Sequence, residues 1–216
     1  MKRKYITATN VVLGVQIVIF LLMTIMGGST NVMTLYYFGA KINPLIISGE
    51  YYRLIMPIFL HIGLEHLAVN SVMLYFLGNE IESILGWSRF LLIYIGSGVL
   101  GNLASFAFNT AISAGASTSL FGLLGVIIYL ARQHSYIRSF RQLGSTYGAF
   151  IVLNILFGFM SGGVDNFGHL GGLLGGYLLS SALSFKQDRV TRLSERLVAI
   201  AAYICVAFLL FKIGLR

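Results

Sequence analysis

Long apolar runs recur along the whole sequence, separated by charged or glycine-rich breaks. An α-helix needs about 20 apolar residues to cross a bilayer, and the runs approach or reach that length. They predict seven membrane spans at about residues 6–27, 61–79, 89–109, 117–131, 143–161, 167–185 and 196–214. Of the 216 residues 57% are hydrophobic and 10% are charged, whereas an ordinary soluble domain has about a quarter charged. The sequence therefore predicts an all-α membrane protein with one membrane domain over residues 1–216.

The basic residues lie between the apolar runs and indicate membrane topology. The formal net charge is +8, but no basic helix with interleaved aromatic residues is present, so we expect no nucleic-acid partner. Cytoplasmic segments of membrane proteins retain Lys and Arg. With the N-terminus in the cytoplasm, eleven basic residues lie inside and four outside. The inner ones are Lys2, Arg3, Lys4, Arg89, Arg132, Arg138, Arg141, Lys186, Arg189, Arg192 and Arg196, and the outer ones are Lys41, Arg53, Lys212 and Arg216.

This topology predicts an integral protein of a bacterial plasma membrane, with a cytoplasmic N-terminus. The first run is longer than the apolar region of a signal peptide and has no clear cleavage site, so we expect it to be retained. The single cysteine, Cys205, lies in an apolar run, which excludes an intrachain disulfide and a thiolate cluster for zinc. The second, fourth and sixth spans all run inward from the outer face. Their first turns therefore share one depth.

Two polar residues at the start of the second span are four positions apart. His66 and Asn70 therefore project from one face of the helix. One interpretation is that they form hydrogen bonds between helices. A metalloprotease zinc site requires two histidines four apart around a glutamate, and this pair is missing because the fourth residue after His66 is Asn70. We therefore expect no metal.

The fourth span opens with the motif Gly115-Ala-Ser117. A glycine allows a tight turn, and a serine at a helix start places its hydroxyl beside backbone N–H groups that can hold an oxyanion. The alternative is that Ser117 only caps or packs the helix, which is common for serine in this position. The motif alone does not decide between these two interpretations.

The sixth span begins near His169 and has a surface almost free of side chains. Glycines repeat at four-residue spacing there, at Gly168, Gly172 and Gly176, so another backbone can approach closely. The fourth span has a matching small surface and runs parallel to the sixth. Close packing of the two would bring Ser117 and His169 together at one depth, as a nucleophile and its base require.

Asp165 lies four residues before His169 and could complete a triad with Ser117. We instead expect it to be a solvated acid in the outer loop, which leaves a Ser/His dyad. The sequence has no aspartate within a predicted span, and this excludes a two-aspartate membrane protease.

These motifs together resemble the rhomboid family of intramembrane serine proteases, over about residues 49–176. The matching residues are Gly49-Glu50-x-x-Arg53, His61 with His66 and Asn70, Gly115-x-Ser117, and His169-x-Gly171-Gly172, in the expected order. The resemblance implies a rhomboid-like core of six transmembrane helices over about residues 6–185, with the seventh span, about 196–214, as an addition.

The resemblance also implies roles for individual residues. Ser117 and His169 match the catalytic dyad. The positions of His66 and Asn70 match the oxyanion site, which also uses the backbone N–H at the serine. Phe121 matches the aromatic residue that packs on the catalytic histidine, and Gly115 and Arg53 match supporting positions. No cofactor is implied.

Two positions depart from the family pattern. Thr118 replaces the usual glycine after the serine, and Tyr52 replaces the usual tryptophan before the arginine of the outer loop. The branched side chain of Thr118 lies next to the nucleophile in sequence. We therefore expect it to alter the pocket for the substrate residue at the cut.

The sequence thus predicts a serine endopeptidase that cleaves single-span or multi-span membrane proteins in the lipid bilayer, near the outer face. The alternative is a catalytically silent rhomboid-like protein that binds membrane helices. A transporter is not favoured, because there is no inverted repeat and no intramembrane carboxylate pair. The sequence does not indicate an oligomeric state.

Overall fold

The computed structural model describes residues 6–161, 163–183 and 191–216. In these residues the structure is helical, apart from an isolated β-bridge between Lys41 and Ser113. The helices are α1 (Ala8–Ile25), α2 (Val32–Phe38), α3 (Asn43–Ile47), α4 (Leu64–Met73), α5 (Asn79–Leu85), α6 (Trp87–Phe108), α7 (Ser117–Gln133), α8 (Arg138–Ser161), α9 (Asn166–Leu183) and α10 (Leu193–Gly214). The predicted all-α fold class is confirmed. Five of the basic residues used for topology, Lys2, Arg3, Lys4, Lys186 and Arg189, lie outside the described residues.

Helices α1, α6, α8 and α10 are long and apolar enough to cross a membrane by length and composition. Helix α7 is also apolar but has only 17 residues. Residues 118–127 of α7 are all buried, so this helix is surrounded by protein. A helix that is shielded from lipid does not need a full apolar length, because its neighbours already exclude water and lipid from its backbone.

The second predicted span differs from the structure at both ends. Its helix begins at Leu64, continues through a π-helical segment at Leu74–Gly78, and ends at Leu85. The predicted span ends at residue 79 because Glu80 and Glu82 follow it in the sequence. In the structure, however, Glu82 forms hydrogen bonds within the protein. Its carboxylate accepts hydrogen bonds from the N–H groups of Ala8 and Thr9, at 2.9 and 2.8 Å. It therefore binds the first turn of α1, where helix N–H groups lack partners within the helix.

Helices α7 and α9 meet through their backbones. A Cβ atom built at Gly172 would lie 2.0 Å from the carbonyl oxygen of Thr118, and one at Gly176 would lie 1.8 Å from that of Gly122. Gly172 lies against Thr118 and Gly176 lies against Gly122, so the residue numbers increase in the same direction along both helices. Helices α7 and α9 are therefore parallel. The predicted contact through the glycine surface is confirmed. On its other side α9 also packs closely against α6, where a Cβ at Gly171 would lie 2.9 Å from the Leu100 oxygen.

Helix α10 packs on the outside of α6 and α9. The hydroxyl of Tyr203 donates to the carbonyl of Gly96 at 2.8 Å, and the Phe211 ring lies 6.2 Å from that of Phe106. Only 6% of the apolar window of α10 is buried. The helix is therefore peripheral to the α6–α7–α9 centre.

The close contact between α7 and α9 makes Gly176 intolerant of any side chain. We expect Gly176→Ala to lower the free energy of unfolding by about 3 kcal/mol, because the new methyl group overlaps the Gly122 carbonyl. Thermal unfolding in detergent measures the loss. The matched control is Gly148→Ala in α8, where no atom lies within 4 Å of the added Cβ. Equal melting temperatures for the two variants would contradict the backbone contact.

Candidate active site

Ser117 opens α7, and the preceding turn depends on glycine. Gly115 has a φ of +147°, which other residues rarely adopt, and a Cβ there would lie 2.6 Å from the His66 ring. Its N–H donates to the carbonyl of Pro57 at 2.9 Å. The N-cap residue of α7 is Ala116, which makes no side-chain cap bond to the first N–H groups of the helix.

The four residues that the resemblance assigns to the dyad and the oxyanion site line one cavity of about 640 Å³. They are Ser117 from α7, His169 from α9, and His66 and Asn70 from α4. The cavity is also lined by Ser113 and Asp165 in the two loops that precede α7 and α9. Three helices that are distant in sequence thus present a hydroxyl, two imidazoles and an amide to the same space.

The His169 ring is held by stacking. It lies parallel to the Phe121 ring, with 4.1 Å between ring centroids and 10° between planes, which is the contact that the resemblance implies for Phe121. His169 is buried, and its Nδ1 atom has no hydrogen-bond partner in the described part of the chain. Neither Ser117 nor Asp165 therefore binds Nδ1. The ring depends on packing for its orientation.

His66 and Asn70 have geometries that leave hydrogen-bond donors for the cavity. The Ile62 N–H donates to Nδ1 of His66 at 3.4 Å, so a neutral His66 has its proton on Nε2. Asn70 donates one amide hydrogen to the His66 carbonyl at 2.8 Å and has a second one to offer. The His61 ring packs edge-on against that of His66, at 5.3 Å between centroids. Among the described residues no group of His, Cys, Asp or Glu is arranged to hold a metal ion.

Asp165 is not the solvated loop acid that the sequence predicts. Its side chain is half-buried and accepts hydrogen bonds from the hydroxyls of Ser105 and Ser113 and from the N–H of Gly168. The expectation is wrong because the loop before α9 folds against the end of α6, which the sequence alone does not indicate. Burial alone would raise the pKa of the Asp165 carboxyl, but hydrogen bonds from Ser105, Gly168, Asn109 and Ser113 outweigh it and lower that pKa.

Lys41, a residue of the outer loop, is fully buried near this carboxylate. Its ammonium group donates to the carbonyl of Asn109 at 2.6 Å. Its backbone N–H donates to the Ser113 carbonyl at 2.9 Å and its own carbonyl accepts from the Ser113 N–H at 3.2 Å. Burial lowers the pKa of Lys41 to about 8, against the opposing influence of the Asp165 charge. The outer loop is therefore attached directly to the segment that leads to Ser117.

Arg53 lies inside the outer loop and does not line the cavity. Its guanidinium donates to Glu50 at 2.8 Å and to the carbonyls of Tyr36 and Ala40 at 3.0 and 3.1 Å. It also lies over the Tyr52 ring, 5.2 Å from its centroid. Tyr52, the departure from the usual tryptophan, thus retains the aromatic contact. These contacts of Arg53 hold the outer loop together.

Thr118 does not face the cavity. Its side chain is buried between helices. A Cβ atom added at Gly101 in α6 would lie 2.7 Å from the Thr118 Cβ, and one added at Gly168 in α9 would lie 3.1 Å from the Thr118 methyl group. The structure therefore contradicts the prediction that this side chain shapes the substrate pocket. Since successive helical residues point about 100° apart, Thr118 turns towards α6 and α9 when Ser117 faces the cavity.

Sequence reasoning missed several polar residues of the cavity wall, among them Asn109 and Asn154. Asn154 in α8 lines it together with Phe150, one helical turn earlier. One turn later, a Cβ at Gly158 would lie 2.3 Å from the Asn166 side chain, so this face of α8 turns towards the start of α9. The signal was present as a single amide within an apolar span, which by itself suggests a functional position.

Comparisons with known proteins point to one family. A family model described as a Rhomboid domain matches residues 48–186. The chain is 41% identical to Rhomboid protease GluP of Bacillus subtilis over 210 residues, which are 97% of this chain and 41% of that protein. It is 33% identical to Putative rhomboid protease YdcA of the same organism over 67% of this chain and 73% of YdcA. It is 39% identical to RHOMBOID-like protein 1 of Arabidopsis thaliana over 68% of this chain and 38% of that protein. The chain thus spans less than half the length of GluP and of the Arabidopsis protein.

The buried Lys41 predicts a pH dependence of stability. Its pKa is about 8 in the folded protein and 10.5 ordinarily, so between these values the unfolded chain binds more protons. The folded state therefore gains stability from this group as the pH rises from about 8 to 10.5. We expect the melting temperature of the wild type, relative to that of Lys41→Met, to increase by a few degrees from pH 7.5 to pH 10. A difference that stays constant over this range would contradict burial of a charged lysine.

Proposed function

Because the chain belongs to the rhomboid family, we propose that it is an intramembrane serine endopeptidase that cleaves membrane proteins through a Ser117/His169 dyad. The observation that carries the proposal is the single cavity lined by Ser117, His169, His66 and Asn70. The relatives GluP and YdcA are named as rhomboid proteases, which favours the same activity in this chain.

The first step is acyl transfer. Neutral His169 accepts the Ser117 proton as the hydroxyl oxygen attacks the scissile carbonyl, and the carbonyl oxygen becomes an oxyanion. The C–N bond then breaks, and the imidazolium returns the proton to the leaving amine. Water subsequently attacks the acyl-enzyme with His169 again as base, which releases the second product and restores Ser117.

The oxyanion has three candidate donors. His66 offers Nε2–H, since its Nδ1 accepts from Ile62, and Asn70 offers its second amide hydrogen. The backbone N–H of Ser117 is the third, at a helix start without a side-chain cap. Donors that already point to where charge develops stabilise a transition state without reorganisation.

His169 acts without an aspartate partner in this scheme. Its Nδ1 is unpaired within the described residues, and the carboxylate of Asp165 is bonded to Ser105, Ser113 and Gly168. Stacking on Phe121 and the backbone contact between α7 and α9 orient the ring instead. These contacts support a dyad.

The cavity must also admit water and an unwound substrate. Polar atoms of Ser113, Asn109 and Asp165 form part of its wall, which supports hydration at membrane depth. Helical peptide bonds are shielded, and their carbonyls are engaged. We therefore propose substrates with Gly, Pro or polar residues near the end of their span and a small residue at the cut.

The charge distribution supports a location and a topology. We propose a multi-pass protein of a bacterial plasma membrane, with a cytoplasmic N-terminus and a cavity that opens to the outer side. The whole chain would form one membrane domain, with a six-span core over about residues 6–185 and α10 as a seventh span.

Substitution of either dyad residue tests the activity. We expect Ser117→Ala and His169→Ala each to reduce cleavage of a single-span model substrate in reconstituted vesicles by roughly 10⁴-fold, because each removes the nucleophile or its base. Product formation on gels measures the loss. The matched control is Ser119→Ala, since Ser119 is buried and does not line the cavity. Equal cleavage by the wild type and both dyad variants would exclude this mechanism. A wild type that binds membrane helices without cleaving them would favour the alternative of a catalytically silent rhomboid-like protein.

Asn70→Ala tests the oxyanion assignment. We expect kcat to fall by roughly 100-fold with little change in KM, because the lost donor acts only when charge develops on the carbonyl oxygen. Cleavage kinetics at several substrate densities in vesicles separate the two constants. The melting temperature serves as the control, because Asn70 also bonds the His66 carbonyl. A rise in KM at constant kcat would assign Asn70 to substrate binding instead.

A further inference from the structure

The carboxylate of Asp165 joins three separate segments of the fold. Its Oδ2 atom accepts from the hydroxyl of Ser105 in the last turn of α6, and from the hydroxyl of Ser113, at 3.0 Å, in the loop before α7. Its Oδ1 atom accepts from the Gly168 N–H in the first turn of α9, at 3.0 Å. Both oxygens are therefore engaged, and each bond involves a different segment.

Two of these segments present the proposed dyad. Ser113 lies four residues before Ser117, and Gly168 directly precedes His169. Ser113 is also held from the opposite side, because its backbone pairs with that of Lys41. A displacement of the Asp165 carboxylate would thus change the position of the loop before Ser117 relative to the start of α9.

Helix capping alone does not account for this arrangement. A cap requires one acceptor for an N–H of the first turn, and Oδ1 meets that need at Gly168. The bonds from Ser105 and Ser113 come from other segments and do not contribute to the helix end. Hydrogen bonds to a charged acceptor are about twice as strong as neutral ones, so they resist relative movement of these segments.

We propose that Asp165 is a positioning residue, which sets the distance and angle between Ser117 and His169 by tying Ser113 and Ser105 to the N–H of Gly168. The proposal rests on the proposed dyad and adds a residue that neither accepts a proton from substrate nor touches the imidazole. The His169 ring has no polar partner on Nδ1 among the described residues, so its placement follows the backbone that Asp165 fixes.

Turnover kinetics of single and double variants test this role. We expect Asp165→Ala to lower kcat by about 30-fold and Ser113→Ala by about 5-fold, with KM within about twofold of wild type, since small misplacements of reacting groups are costly. The double variant Asp165→Ala/Ser113→Ala should have the kcat of Asp165→Ala alone, because both changes remove the same connection. All rates are taken per folded protein from size-exclusion chromatography, well below the melting temperature.

The matched control is Asn43→Ala. The Asn43 amide donates to the carbonyls of Phe106 and Asn109 at 3.0 and 3.3 Å, and so holds the outer loop to the end of α6 without touching Asp165. We expect this variant to lower the melting temperature while kcat stays within about twofold of wild type. A merely structural Asp165 would behave in the same way.

Several outcomes would overturn the proposal. An Asp165→Ala protein with a lower melting temperature and unchanged kcat makes the residue structural only. Losses of kcat that multiply in the double variant exclude a shared connection through Ser113. Should Asp165→Ala not fold, unchanged kcat in Ser113→Ala overturns the proposal by itself. If Ser117→Ala cleaves as well as wild type, the proposed dyad is wrong and the positioning role is wrong with it. If Ser117→Ala loses cleavage but Asp165→Ala keeps the kcat of wild type, only the positioning role is rejected.

Discussion

Glycine allows the backbones of α7 and α9 to touch, and the relative positions of Ser117 and His169 depend on that contact. Side chains at Gly172 or Gly176 would overlap carbonyl oxygens of α7. In a membrane protein, water exclusion contributes little to pairing helices, so close van der Waals contact must do more. The same contact makes the two helices parallel. A nucleophile and a base that begin neighbouring parallel helices then lie at one depth without any further adjustment.

The loops around the cavity show how charged groups are tolerated beside an apolar bundle. Arg53, Lys41 and Asp165 are buried or half-buried, and each has several hydrogen-bond partners. A buried charge without partners is strongly unfavourable, so such residues hold the segments that supply those partners. Arg53 holds the outer loop together, Lys41 attaches it to the segment before Ser117, and Asp165 connects that segment to α9. Of the three, Asp165 lines the cavity, and the other two hold the outer loop that lies beside it.

A dyad without an aspartate places more demands on packing. In a triad, a carboxylate orients the imidazole and selects its tautomer. Here Phe121 stacks on His169, and Nδ1 has no partner among the described residues, so orientation comes from an aromatic face and from the helix backbone. Under the proposed mechanism, this explains how residues that act through the backbone, such as Asp165 and the glycines of α9, would influence the reaction. It also explains why Thr118 can be accommodated, since its side chain lies away from the cavity, between helices.

Much of the fold and site could be predicted from sequence because the signals are local. The length of an apolar run indicates a helix, and glycines four apart indicate a close contact. Polar positions in apolar runs drew attention to Ser117, His169, His66 and Asn70.

The end of the second span, the burial of Asp165 and the direction of the Thr118 side chain could not be predicted in this way. Asn154 was missed, although it is an amide in an apolar run. The sequence by itself therefore determined which residues enter the membrane core and which helices can pack closely. Only the tertiary structure decided what each loop residue binds and which way a side chain beside the nucleophile points, because partners and direction depend on segments that are distant in the chain.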